Sequence, residues 1–317
     1  MTDTQNEAFK MPVNKIRLFE HGAPGSQNLK LTRKYYTEDM PDGRVKHIVQ
    51  NITDPDIVPY IPEGIGNSAE AERIPAVLII PGGAFRRLVY NFEGEDVAKW
   101  LNSMGIAAFV LECRLPSDEH DNAEDVPLID AMRAMRVIRG RAQEFGIDEA
   151  KIGVMGFSAG GFMAALLSTA YESDVYADYK YKDEYDKLSA RPDFAVCSYP
   201  VISIDDCIEA GKRYMSEEQV LEIINDSETK ILHKYNPDKL VRPDMPPVFI
   251  CETDDDRTTL SENSVGFYMA ARKAGVSAEL HIFRTGGHGY GCGDDFAQTG
   301  EWKVLFTKWI KSIGIIS

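Results

Sequence analysis

The sequence predicts an α/β fold: a mostly parallel central sheet with helices on both faces. Three observations predict it. From about residue 75 onward, short apolar runs alternate with longer amphipathic patterns, the rhythm of β-α-β crossovers. The short runs are continuous in aliphatic and aromatic residues rather than alternating, as strands covered on both faces require. The 317 residues also contain no internal repeat, low-complexity tract or linker that would cut them, so a single domain over 1–317 is expected.

Taken in order, residues 1–70 hold strand-like pieces, "KIRLFE" and "HIVQNIT", between Gly, Pro and Asp breakers, and read as edge strands and loops. The buried strands follow: "AVLII" (76–80), "AAFVLEC" (107–113), "KIGVM" (151–155), "FAVCSY" (194–199), "PVFICE" (247–252) and "AELHIF" (278–283). Between them, "EGEDVAKWLNSMG" (93–105) reads as a helix stopped at Gly105. In 127–146, Leu128, Met132, Met135, Ile138 and Ala142 fall three or four apart and give one apolar stripe. The arginines of that helix, Arg133, Arg136, Arg139 and Arg141, read as a solvated face. Residues 262–275 and 301–314 supply two more helices. Two stretches break the rhythm, the Tyr- and charge-rich 171–192 and the polar 203–240. The region 171–240 reads either as small cap-like insertions over the loop end of the sheet or as ordinary surface helices, and both readings stay open.

The formal charge of −15 disfavours nucleic acid and anionic membrane surfaces as partners. No apolar run approaches the roughly 20 residues of a membrane span. Five cysteines (113, 197, 207, 251 and 292) make an odd count without a C-x-x-C pair, against a disulfide framework or zinc site. The start, "MTDTQNEAFK", lacks the basic and apolar regions of a secretory signal, so a cytoplasmic location is expected. A homo-oligomer remains compatible with all of this.

Gly156-Phe157-Ser158-Ala159-Gly160 is the single G-x-S-x-G of the chain, set between an apolar strand and a helix-forming run. That is the setting of a nucleophile elbow, where a sharp strand-to-helix turn lifts the serine hydroxyl above the sheet. A serine hydroxyl needs a base, and the base an orienting acid. Of six histidines, His288 lies on the glycine-rich "TGGHGYGCG" just past the last strand. The others sit in polar contexts or, for His281, inside a strand. For the acid, "ETDDDRTT" follows the penultimate strand; one of its aspartates should face the histidine while mutual repulsion keeps the others wet. Directly after the first central strand, Gly82, Gly83 and Ala84 stand where backbone N–H groups can meet an oxyanion, with the N–H of Ala159 as a further donor. Phe85, Tyr90, Phe157 and Tyr290 lie close enough to these motifs to line a substrate pocket.

The blocks "IIPGGAF", "FEGEDVAKWLNSMGIAAFVLECRLP", "DAMRAMRVIRGRAQEFGIDEAKIGVMGFSAGG", "SARPDFAVCSYPVIS", "PPVFICETDDDRTTLSENS" and "ELHIFRTGGHGYG" resemble bacterial acetylesterases and acetyl-xylan-esterase-type members of the α/β-hydrolase superfamily. The resemblance covers roughly residues 75–310. It implies Ser158 as nucleophile, His288 as base and Asp256 as acid, with Asp255 as the alternative one residue earlier. It also implies an oxyanion hole of Gly83, Ala84 and Ala159, no metal or organic cofactor, and a small-molecule ester substrate such as an acetylated oligosaccharide. This chain departs from the family pattern with Ala84 in place of a third glycine, Cys113 in place of a tyrosine, and Phe162 and Glu252 in place of histidines. A prolyl-oligopeptidase-like peptidase shares the chain order but carries a propeller for which there is no room. A non-catalytic binding protein of this fold would typically lack one of the three triad residues.

Overall fold

The structure is a computed structural model that describes residues 9, 14–65, 72–226, 229–293 and 298–317. The described strands are β1 (Ile16–Arg17), β2 (Lys34–Asp39), β3 (Val45–Gln50), β4 (Asp56–Tyr60), β5 (Ile74–Ile80), β6 (Leu88–Val89), β7 (Ala107–Glu112), β8 (Ile147–Phe157), β9 (Ala195–Ser198), β10 (Val248–Thr253) and β11 (Ala278–Phe283). Eight of them form one sheet in the order β1-β4-β7-β5-β8-β9-β10-β11. From β7 to β11 every pairing is parallel, and β1 and β4 add an antiparallel edge. The N-terminal region thus supplies that edge and, through β2 and β3, most of a separate antiparallel sheet completed by β6.

Helices α1 (Asp96–Ser103), α2 (Val126–Gly140), α3 (Ala142–Phe145), α4 (Ala159–Ala170), α5 (Ile204–Tyr214), α6 (Glu217–Asn225), α7 (Lys230–Lys234), α8 (Ser261–Lys273) and α9 (Glu301–Ser312) accompany the strands. The helix expected over 127–146 is broken at Arg141 into α2 and α3. Strands β7, β9 and β10 are buried along their whole length, which is why their sequences read as continuous apolar runs. Buried apolar side chains from Leu18 to Ile315 form one connected core. No helix of the described residues is long and apolar enough to cross a membrane.

Register places the site. Ile80 stands opposite Gly156 in the β5–β8 pair, and Phe157 opposite Ser198 in the β8–β9 pair. The loops leaving β5, β8 and β9 therefore emerge side by side at the carboxyl edge of the sheet, where ligands of open α/β sheets bind.

One expectation is corrected here. The arginines of α2 are not a solvated face. Arg133 is buried and pairs with Asp183 and Asp186, while its Nε donates to the Leu18 carbonyl at 2.9 Å. Arg136 donates to the Leu188 carbonyl and the Tyr176 hydroxyl, and Arg139 to the carbonyls of Ser189 and Arg191. The Tyr- and Asp-rich segment 171–192 folds back over this face, and its carboxylates and carbonyls satisfy the guanidinium groups. It covers α2, not the loop end of the sheet. The second irregular stretch behaves differently: Cys207, Ala210, Met215 and Leu232 line the cavity described next.

Candidate active site

The turn after β8 is tight because its glycines allow it. A Cβ on Gly156 would fall 1.9 Å from the Gly160 carbonyl oxygen, and one on Gly160 would fall 2.0 Å from that of Ile80. With the backbone drawn this close, Ser158 takes φ 54° and ψ −120°, outside the ordinary regions for a residue with a side chain. Its N–H donates to the Ser198 carbonyl at 3.0 Å and its carbonyl accepts from Phe162 N–H at 3.0 Å, so neighbouring strand and helix hold the conformation. The hydroxyl stands at the start of α4, where the helix dipole favours negative charge.

Ser158 Oγ lies 2.8 Å from His288 Nε2, and His288 Nδ1 lies 2.6 Å from Asp256 Oδ2. Asp256 is buried and accepts three further bonds: Thr258 N–H at 2.7 Å and Thr259 N–H at 3.0 Å on Oδ1, and the Thr259 hydroxyl at 2.9 Å on Oδ2. Burial works against its charge, yet the bonds from His288 and from the two backbone N–H groups hold its carboxyl below the usual carboxylate range. Its neighbours Asp254 and Asp255 are exposed. Asp255 does not face the imidazole. Its Oδ1 accepts the N–H groups of Gly286 (2.9 Å) and Gly287 (2.8 Å) and so steadies the loop that carries His288.

On the β5 side, Gly83, Ala84 and Phe85 take φ values of 137°, 57° and 60°, an unusual run that turns the loop back on itself. A Cβ on Gly83 would lie 2.1 Å from the Arg87 carbonyl oxygen, so this position needs glycine for space as well as conformation. Among the described residues, the N–H groups of Gly83 and Ala84 donate to no acceptor of the chain. Both residues, with Ala159, Ser158 and His288, line a cavity of about 680 Å³. That volume suits a ligand much larger than an acetyl group.

The four aromatic candidates separate. Phe85 lines the cavity, propped edge-to-face on Phe162 at 5.7 Å between ring centroids. Tyr90, Phe157 and Tyr290 do not line it. Phe157 ends β8 one residue before the turn at Ser158, and its ring packs against Tyr199 and Trp302. Tyr90 is buried with its hydroxyl 3.1 Å from that of Tyr60, and Tyr290 packs 4.4 Å from the Tyr199 ring.

Residues 65–270 match the BD-FAE family. The chain belongs to that family. It is 30% identical over 243 residues to an acetylxylan esterase of Xylanibacter ruminicola, covering 75% of this chain and 45% of the relative. It is 32% identical over 220 residues to endo-1,4-beta-xylanase B of Butyrivibrio fibrisolvens, covering 69% of this chain and 33% of the relative. The chain thus spans less than half the length of either curated relative. Among solved structures, an acetyl ester-xyloside bifunctional hydrolase from Caldicellulosiruptor lactoaceticus superposes with a TM-score of 0.72 at 34% identity, over 96% of this chain and 97% of that one. The fold of this family member is that of α/β-hydrolase esterases.

Several residues around the site were given no role in it by the sequence reading. Thr259 sits within 3.2 Å of His288 Nδ1 while bonding Asp256, and Thr253 donates its hydroxyl to the Gly287 carbonyl at 2.9 Å. Glu252 is buried near Asp256, and burial first, then the Asp256 charge, pushes its carboxyl well above the usual range. Glu93 and Tyr199 are also buried here. The available signal for Glu93 was its place four and eight residues before the buried Val97 and Leu101, in the turn that leads into α1.

Proposed function

We propose that this BD-FAE family member is a serine esterase that removes short acyl groups, acetyl foremost, from xylo-oligosaccharides or related sugars. The observation that carries the reading is the continuous chain Ser158–His288–Asp256, at 2.8 and 2.6 Å, opening into a cavity beside two unpaired backbone N–H groups.

Ser158 Oγ attacks the ester carbonyl carbon while its proton passes to His288 Nε2. Asp256 accepts the Nδ1–H and stabilises the imidazolium. The carbonyl oxygen becomes an oxyanion bound by the N–H groups of Gly83, Ala84 and Ala159. Collapse breaks the bond to the alcohol oxygen, which takes the proton from His288 and leaves. Water then attacks the acyl-enzyme by the same route and restores Ser158. Every step is carried by groups of this chain.

The room beyond the acyl site supports a sugar as the alcohol part, and the printed activities of the relatives point to the same substrates. Cytoplasmic action on imported oligosaccharides is part of this reading, supported by the free thiols of Cys113, Cys197, Cys207 and Cys251. The test is a chain-length series of p-nitrophenyl esters run beside acetylated xylo-oligosaccharides, with Ser158→Ala as control. Preferred release of acetate, abolished in the variant, is expected. A preference for chains beyond about eight carbons would overturn the acetyl reading, and turnover by Ser158→Ala would overturn the assignment of the nucleophile.

A further inference from the structure

Between the donor loop and the histidine loop lies a buried carboxylate that the mechanism above does not use. Glu93 is 5% exposed and belongs to the helical turn that leads into α1. One of its oxygens, Oε2, accepts the N–H of Gly82 at 2.8 Å. The other, Oε1, accepts the hydroxyl of Tyr199 at 2.9 Å. The Tyr199 oxygen in turn accepts the N–H of Gly291 at 3.0 Å, and the Gly291 carbonyl accepts Trp302 Nε1–H at 3.1 Å. The Tyr199 ring stands edge-on to the imidazole of His288, 5.0 Å between centroids. Tyr199 holds a left-handed backbone at φ 36°.

Two segments of the site therefore meet at one carboxylate, the loop of Gly82–Ala84 and the end of β9, and the loop of His288–Gly291 joins them through the Tyr199 hydroxyl. A Cβ on Gly82 would lie 2.8 Å from Glu93 Oε2, so loop and carboxylate are already in contact. We infer that Glu93 is a positioning residue for the reaction, fixing the oxyanion donors directly through Gly82 and the catalytic imidazole indirectly through Tyr199 and Gly291. This rests on the esterase reading above and deepens it.

The argument for a carboxylate is one of donor counting. Gly82 N–H and Tyr199 O–H both need acceptors, and the Tyr199 oxygen already receives Gly291 N–H. A glutamine at 93 can accept from only one of them and presents an NH2 to the other, so one side of the network must open. Opening the Gly82 side moves the next peptides, which carry the oxyanion donors; opening the Tyr199 side frees the histidine loop. A shift of about 1 Å at such groups costs about 100-fold in rate. Burial pushes the Glu93 carboxyl up, against the opposing pull of the Tyr199 hydroxyl, the nearby His288 and the Gly82 N–H.

The test compares Glu93→Gln, Tyr199→Phe and the double variant with wild type and Ser158→Ala on p-nitrophenyl acetate across pH, with thermal melts to establish folding. Glu93→Gln is expected to lower kcat about 10- to 100-fold with KM within about twofold. Tyr199→Phe keeps Glu93 on Gly82 and is expected to lower kcat about tenfold; the double variant should resemble Glu93→Gln, because both changes act on one network. Glu93→Gln and Tyr199→Phe that fold and keep kcat within twofold, while Ser158→Ala is inactive, would overturn this inference alone. Activity in Ser158→Ala would instead overturn the esterase reading beneath it. If Glu93→Gln does not fold, Tyr199→Phe decides: full activity there overturns the coupling to His288.

Discussion

Replacing Asp256 with asparagine is the sharpest perturbation of this site. The carboxylate accepts four hydrogen bonds, two backbone N–H groups on Oδ1 and the Thr259 hydroxyl and His288 Nδ1 on Oδ2. An asparagine that keeps its oxygen under the two N–H groups turns an NH2 toward His288. The imidazole then adopts the tautomer with Nδ1 as acceptor, which leaves a proton on Nε2, the atom 2.8 Å from Ser158 Oγ. That nitrogen can no longer take the serine proton. Rotating the amide instead sets its NH2 against two backbone donors at 2.7 and 3.0 Å, a worse clash of donors. A wrong tautomer in such a triad costs about 10⁴ in kcat, or about 5.4 kcal/mol of transition-state stabilisation. KM should change less than about threefold, because Asp256 does not line the cavity.

Asp255→Asn is the matched control. An amide oxygen can accept the Gly286 and Gly287 N–H groups as the carboxylate does, so a loss of no more than about threefold is expected. The assay is steady-state hydrolysis of p-nitrophenyl acetate near pH 8 on both variants, with melting curves alongside. The folded-state carboxyl of Asp256 is held below its ordinary value of 3.8, so its charge stabilises the fold above that pH. This contribution is lost as pH falls through the depressed value. Asp256→Asn should therefore melt lower than wild type at pH 7, with the gap closing in strong acid. A folded Asp256→Asn within tenfold of wild type would refute the reasoning, and a crippled Asp255→Asn beside it would move the acid by one residue.

Three further outcomes are expected. Arg133→Ala should lose about 2 kcal/mol of stability, a buried-pair value discounted for the partly exposed Asp183, and should leave ester hydrolysis intact; thermal melts that match wild type would restore the solvated-face reading of α2. Gly160→Ala places its Cβ 2.0 Å from the Ile80 carbonyl oxygen and should cost about 3 kcal/mol, read by urea unfolding or loss of soluble protein. His120 is buried with Nδ1 3.0 Å from Ser26 Oγ, and burial, then the Arg114 charge, lowers its pKa from 6.5 to about 4. Protonation thus favours the unfolded chain, and stability present above pH 6.5 should fall by up to about 3 kcal/mol toward pH 4. Asp118, raised to about 6 by burial, acts in the opposite sense over the same range, so the contribution of His120 is read as the difference from His120→Gln, whose stability should fall less on acidification.

What could be read from the sequence was set by local chemistry. Buried parallel strands must be apolar on both faces, so β5, β7, β8, β9 and β10 announced themselves as continuous runs. The elbow was readable because its turn admits only glycine at two fixed positions around Ser158. The chain order of Ser158, Asp256 and His288 followed from parallel strands, which bring every carboxyl-terminal loop to one edge of the sheet. The misreadings share one cause, contacts between segments distant in sequence. Arg133 and Arg136 have the spacing of a wet face, and only the return of 171–192 makes that face an interior one. The aromatics near the motifs were sorted by such contacts. Phe157 packs against Tyr199 and Trp302, and the positions of Tyr90 and Tyr290 depend on Tyr60 and Tyr199, far off in the chain.

Glu93 shows the same limit from the side of function. A glutamate in "NFEGEDVAKW" has the composition of any helix start, and acidic residues are favoured there by the dipole alone. Its distinguishing property is burial, and that depends on Gly82, Tyr199 and Gly291 arriving from three other segments. Helical spacing offers a partial substitute. An acid four and eight residues before the buried Val97 and Leu101 is a candidate for burial, and a buried carboxylate must find donors. The donors that reach it are the Gly82 N–H, on the loop after β5, and the Tyr199 hydroxyl, just after β9, both beside the reaction centre. The chemistry proposed for this site can therefore be traced from its motifs, but the rigidity that brings its parts to hydrogen-bonding distance resides in buried polar residues whose roles only the fold reveals.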